Sequence, residues 1–181
     1  MNNSNQLLST DNLYLRAPEP EDLELMYRME NDTTLWSVGN TLLPYSRYTL
    51  KKYIANTKND IYSEHQARFI IELSSGERIG MIDIVDFNPH DSRAEVCIGI
   101  LNEYRGCGAA GEALQLLCRY AFHFLGINQL YAYIPTDNKK SKNLFLKIGF
   151  SKTATLKAWK RYGEKFKDVA IFQLQKSDYL P

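Results

Sequence analysis

Strong charge of either sign is missing from this chain. It carries 22 basic and 21 acidic residues among 181, for a formal net charge of +1. That balance removes the basic footprint of a nucleic-acid binder and any pull toward an anionic membrane. No apolar run approaches the roughly 20 residues that cross a bilayer. The opening Met-Asn-Asn-Ser-Asn-Gln lacks the basic flank and apolar core of a secretory signal. Cysteine is scarce. Cys97, Cys107 and Cys118 are odd in number and lack metal-ligand spacing, so free thiols in a reducing cytoplasm are expected. The three histidines are scattered, no Cys-x-x-Cys or His-x-x-x-His pair exists, and no zinc site is expected. Repeats, linkers and low-complexity tracts are absent. The length suits one domain with a real core, with polar residues 1 to 10 loose at its start.

What is present is organised around Glu95 to Leu125. Glu95-Val-Cys-Ile-Gly-Ile-Leu101 reads as a buried strand. Ala113, Leu114, Leu117, Ala121, Phe124 and Leu125 recur at helical spacing. Between them Arg105-Gly-Cys-Gly108-Ala-Ala-Gly111 is a loop of small residues. A strand, a glycine-rich turn and a helix start make an anion site: unpaired backbone N–H groups and the helix dipole favour a phosphate, and small residues let it approach. No Gly-Lys followed by Ser or Thr is present, which excludes a nucleoside-triphosphate loop. Gly106, Gly108 and Gly111 spell G-x-G-x-x-G, but no second βαβ half follows, which weakens a dinucleotide reading.

The remaining periodicities predict an α+β chain. Strands are expected at Leu13–Arg16, Ala67–Leu73, Arg78–Phe87, Arg93–Leu101, Gln129–Ile134, Thr153–Lys160 and Phe166–Leu174. Helices are expected over Pro18–Glu30, from Ser46 as N-cap to about Asn56, and over Asn138–Ile148 with Gly149 as its stop. Residues 31 to 66 outside the second helix read as loop.

Arg105-x-x-Gly108-x-Ala110 resembles the Arg/Gln-x-x-Gly-x-Gly/Ala motif of the GNAT acetyltransferases. About 30 residues on, Asn138-Lys-Lys-Ser141-Lys-Asn-Leu144-Phe145-Leu-Lys147-Ile-Gly149-Phe150 is similar to that family's second signature. The two in this order are far more specific than either alone. The likeness runs from Leu13 to Leu174 and looks closest to the branch holding spermidine and ribosomal-protein-alanine N-acetyltransferases. It implies the GNAT fold, a mixed, mostly antiparallel sheet of about seven strands with helices on both faces. It implies acetyl transfer from acetyl-CoA to a primary amine, without a metal, in an enzyme that forms a dimer. A polyamine or a protein N-terminus is the expected acceptor. An amino sugar, or an acyl-CoA-binding module without turnover, are the alternatives.

The resemblance also implies roles. The backbone from Arg105 through Gly106, Gly108 and Ala110 to Gly111 would hold the pyrophosphate. The strand before the loop splays at a bulge in this family, so Ile98, Ile100 and Leu101 would meet the pantetheine arm, with an N–H near Ile98 polarising the thioester carbonyl. Asn138, capping its helix, and Ser141 would join them. The family's acidic tyrosine is Phe145 here, a departure that puts the leaving-group acid in doubt; Tyr133 or Tyr162 could serve instead.

The amine must lose a proton before attack, and Glu95, in an otherwise apolar strand, is the candidate base, unless it merely pairs with Arg93 or Arg68. Asp83 and Asp86 could hold a cationic substrate or simply be solvated. Trp36, Phe87, Trp159 and Tyr162 would wall the acceptor pocket with Glu30. Cys107 could in principle carry an acyl group, but no histidine lies near it in sequence.

Overall fold

The computed structural model describes residues 7–36 and 42–180. The chain opens with Leu13–Arg16 (β1), which buries Leu13 and Leu15 by alternation. Of the ten residues expected to be loose, the first six lie outside the described residues, and the last four are tied down: Arg119 bonds the Leu7 and Ser9 carbonyls, and Thr10 bonds Glu112. The first expected helix divides. Pro20–Asp22 forms a 3₁₀ turn and Leu23–Glu30 the helix proper (α1), because the Glu19 amide and the Asp22 carboxylate close a capping box at 2.7 Å. Buried Asp22 is also bound by Arg16 at 2.6 Å and Arg78 at 3.4 Å.

Two single turns, Thr33–Trp36 (α2) and Ile61–Glu64 (α4), stand in stretches expected to be loop. Each begins where an aspartate, Asp32 or Asp60, accepts from a backbone amide two residues on. Between them Arg47–Asn56 (α3) starts at Ser46, whose hydroxyl accepts from the Thr49 amide at 3.0 Å.

The strands Ala67–Leu73 (β2), Arg78–Asn88 (β3) and Arg93–Ile100 (β4) follow. Next come the helix Ala109–Arg119 (α5), extended by a wide π turn over Tyr120–Phe124, the strand Gln129–Pro135 (β5) and the helix Lys139–Ile148 (α6). Ser151–Tyr162 (β6) and Lys165–Gln175 (β7) close the chain as a hairpin. These seven strands form one sheet in the order β1-β2-β3-β4-β5-β7-β6. Every pairing is antiparallel except β4 with β5. Helices α1 and α3 cover one face through Met26, Met29 and Leu50 on Ile70 and Met81. Helices α5 and α6 cover the other through Ala113, Leu114, Leu117 and Phe145.

Candidate active site

The sheet comes apart in its middle. β4 and β5 pair only at Arg93, Ala94 and Glu95 opposite Gln129, Leu130 and Tyr131. Beyond that point β5 stays paired with β7 as far as Pro135, while β4 stays paired with β3 as far as Ile100. A wedge opens between them. The expected bulge is found in the neighbouring strand rather than in β4. The β3–β4 register is unbroken from Gly80–Ile100 to Val85–Glu95, and the irregularity lies in β3 between Val85 and Asn88.

Alternation decides which backbone groups face the wedge. The Leu101 amide bonds the Ile79 carbonyl at 2.9 Å. Odd-numbered residues of β4 therefore turn to β3, and Ile98 and Ile100 turn the other way. The backbone amide and carbonyl of Ile98 and the amide of Ile100 thus point into the wedge, where no strand lies beside them. Leu101, expected there too, is committed to β3. The Ile100 carbonyl is taken by Arg105 Nε at 2.8 Å.

That bond also decides what Arg105 does: it braces the loop on the end of β4. Gly106 and Gly108 adopt φ of +89° and +93°, and Gly108 is the N-cap of α5. The amides of Arg105 and Gly111 are satisfied inside the loop, by the Asn102 and Gly108 carbonyls. The amides of residues 106 to 110 have no acceptor among the described residues, a shorter set than the sequence suggested.

A cavity of about 460 Å³ runs from the wedge onto the α1–α3 face. Val96, Cys97, Ile98 and Gly99 line it from β4, and Ala132, Tyr133 and Ile134 from β5. Ser141 and Phe145 reach it from α6; Met29, Glu30 and Trp36 from the α1 side; Arg68, Asp83 and Glu95 from the sheet. Asn138 acts as the helix cap, accepting from the Ser141 amide at 3.1 Å. Phe145 packs edge-on against Phe150, while Tyr133 is partly exposed and packs edge-on against Tyr131. The Trp36 indole donates to the Glu30 carbonyl at 2.7 Å.

Glu95 pairs with neither arginine. Burial raises its carboxyl above the ordinary carboxylate range, the charge of Asp86 adds to this, and the Cys97 thiol, Lys160 and the Tyr133 amide pull partly back. The Cys97 thiol lies 3.8 Å from Glu95 Oε1. It opens onto the cleft, and enclosure there, with Glu95 and Asp83 nearby, pushes its own pKa up. Arg68 is bound instead to Glu30 at 2.5 Å and Asp83 at 2.8 Å, with Tyr53 beneath it at 5.5 Å. Burial disfavours its charge, but Asp83 and then Glu30 outweigh that and hold it charged. Arg93 binds Asp86 and Asp91.

Four residues expected at the acceptor site, the carboxylate Asp86 and three wall aromatics, lie elsewhere. Asp86 adopts φ +49° at the β3 irregularity and bonds the Tyr131 hydroxyl and Arg93. That extra residue breaks the alternation, so Phe87, which would have followed Asp83 and Val85 onto the cleft face, packs in the core with α5. Trp159 and Tyr162 are exposed on the β6–β7 hairpin, separated from β4 by β5 and β7. Among the described residues no group of three or more His, Cys, Asp or Glu could hold a metal ion.

The acetyltransferase (GNAT) domain model matches residues 12–151. The chain belongs to the GNAT acetyltransferases. This acetyltransferase is 31% identical over 150 residues to spermidine N(1)-acetyltransferase of Escherichia coli K12, covering 79% of this chain and 75% of that protein. It is 28% identical over 176 residues to an uncharacterized N-acetyltransferase, p20, of Bacillus licheniformis, covering 96% and 98%. The crystal structure of spermidine N-acetyltransferase from Vibrio cholerae in complex with CoA and spermine superposes with a TM-score of 0.85 at 25% identity, over 95% of this chain and 100% of that one. The seven-stranded mixed sheet is the GNAT fold, and the chain is an N-acetyltransferase that uses acetyl-CoA. No helix among the described residues is long and apolar enough to cross a membrane.

Proposed function

We propose that this acetyltransferase acetylates a primary amine of a polyamine, by direct attack of the amine in the wedge between β4 and β5. The observation that carries the reading is an unpaired strand edge opening directly into a cleft lined by Glu30, Asp83 and Glu95. The spermidine acetyltransferases it resembles support the same acceptor. Acetyl-CoA fits the site: the open amides of residues 106 to 110 suit its pyrophosphate, and the free groups of Ile98 and Ile100 suit the amides of its pantetheine arm. When bound, it supplies the activated acetyl thioester.

The chain's own residues do the rest. Glu95, with its raised pKa, takes the ammonium proton directly or through water. The Ile98 amide donates to the oxygen on which charge develops. Trp36 and the acidic groups hold the amine. Ser141 and Phe145 flank the thiol end. The whole chain acts as one domain, in a cytoplasm that keeps Cys97, Cys107 and Cys118 as thiols. Self-association belongs to the reading, as a dimer at least: Trp159, Tyr162 and Phe166 are exposed together on the last hairpin, and a spermidine N-acetyltransferase structure from Vibrio cholerae is dodecameric. Release of the coenzyme thiol with spermidine, glucosamine and a peptide N-terminus tests the acceptor. Spermidine should give the highest kcat/KM; a faster amino sugar overturns the reading, and binding of acetyl-CoA without release for any acceptor makes the protein a binding module.

Proton delivery to the departing thiolate falls to Tyr133. Tyr133 lines the cavity and is partly exposed, whereas Phe145 has no hydroxyl to give. Tyr133→Phe should lower kcat about tenfold or more, while Phe145→Tyr should change it little. Steady-state kinetics on both variants checks this. Equal rates for both and the wild type would mean that the thiolate leaves unassisted.

A further inference from the structure

The Arg68 cluster borders two adjoining open spaces. One is the cavity of about 460 Å³ that holds the wedge, and the other, of about 290 Å³, is walled by Thr49, Leu50 and Tyr53. Glu30, Arg68 and Asp83 line both. The pairing within the cluster is unequal. Asp83 spends both carboxylate oxygens on Arg68, accepting from Nε at 3.0 Å and Nη2 at 2.8 Å. Glu30 spends only Oε1, on Nη1 at 2.5 Å. Its Oε2 has no donor among the described residues. Every fully buried side-chain oxygen there does have a partner, so Oε2 reaches open space, and Glu30 lines the cleft as well as the second cavity.

We infer that Glu30, positioned by Arg68, is the specificity-determining residue that selects an acceptor carrying a second cation beyond the reacting amine. The inference rests on the polyamine reading and deepens it. Charge matching supports it. Two carboxylates and one guanidinium leave the cluster one net negative charge, largely desolvated: the side chains of Glu30, Arg68 and Asp83 are 14%, 19% and 14% exposed. One further ammonium completes the pairing, and desolvation makes each such contact stronger than in water. A monoamine placed at Glu95 leaves the charge uncompensated. A linear diamine or triamine can put its first nitrogen at the wedge and its next at Glu30, because both line one cavity. Arg68 fixes the Glu30 carboxylate in place and limits the cluster to a single additional cation.

The test compares putrescine with n-butylamine, which differ by the second nitrogen. In the wild type kcat/KM should favour the diamine by about tenfold or more, carried by KM. Glu30→Gln should reduce that ratio by most of this factor, since the amide keeps the shape and the Arg68 contact but loses the charge. Glu30→Asp, which retains the charge and withdraws it by one methylene, should give an intermediate ratio. A wild type without preference overturns the inference, and so does a ratio unchanged in both variants, whatever the absolute rates. If Glu30→Gln fails to fold, the wild-type ratio and Glu30→Asp still decide it. Release with neither amine and none with spermidine overturns the polyamine reading itself, and this inference with it; release with spermidine but with neither C4 amine, or with both at equal efficiency, overturns only the inference.

Discussion

Gly108→Glu should abolish measurable acetyl-CoA binding, a loss of about 100-fold or more in Kd, while the fold survives. An added Cβ at Gly108 would meet no atom within 4 Å, so sterics alone do not forbid a side chain there. The backbone does resist one: φ is +93°, and a non-glycine residue in that region costs on the order of 1 kcal/mol. Against that modest strain stands an electrostatic effect. The carboxylate would sit among the open amides of residues 106 to 110, at the positive end of α5, and would occupy and repel the site of a pyrophosphate. Gly108→Ala carries the same strain without the charge, and should weaken binding only severalfold. Calorimetric titration with acetyl-CoA on both variants separates the two contributions. An unchanged Kd for Gly108→Glu would remove the loop from the coenzyme site.

Glu95→Gln should lower kcat by about 100-fold and, at neutral pH, make the protein more stable. The two effects share a cause. Burial, then the charge of Asp86, raise the folded-state pKa of Glu95 above the ordinary 4.5. Between that value and the raised one the folded state holds more protons than the unfolded state, so the stability Glu95 contributes falls as pH rises through this window. Ionised Glu95 is then a net cost to the fold, and the base that catalysis needs exists only once the cost is incurred. Glutamine removes both. The acid limb of the kcat profile, expected above pH 4.5 in the wild type, should vanish in the variant. The melting temperatures should converge below pH 4.5 and separate in favour of the variant above it. A rate loss under about threefold, or a variant less stable at pH 7, would deny Glu95 the role of base.

Much of the fold was legible because its signals are local. β2 and β4 are short apolar runs, Ser46 caps α3, and Gly149 stops α6. The loop at Gly106–Gly108 was legible because few other residues adopt its backbone angles. Neither α2 nor α4 was, since four residues have no period to detect. The acceptor wall was misread for one reason above others. Assigning Phe87 to the cleft assumed unbroken alternation along β3, and the residue that breaks it, Asp86, gives no sign in sequence of its left-handed conformation. Arg68 entered only as a possible partner of Glu95. Its true partners follow from register, which sets Arg68 opposite Asp83, and from the docking of α1, which brings Glu30 over them. Both are long-range facts.

The three residue pairs that join β4 to β5 have a mechanical consequence. The sheet is two blades, β1 to β4 and β5 with the last hairpin, hinged along a seam only three residues long, and the remaining length of the seam is where the coenzyme's arm is proposed to lie. An arm that bonds the Ile98 edge acts as a missing length of strand. In that position the coenzyme is a structural member as well as a reactant: its arrival stiffens the hinge between the blades, and its departure after each turnover loosens it again.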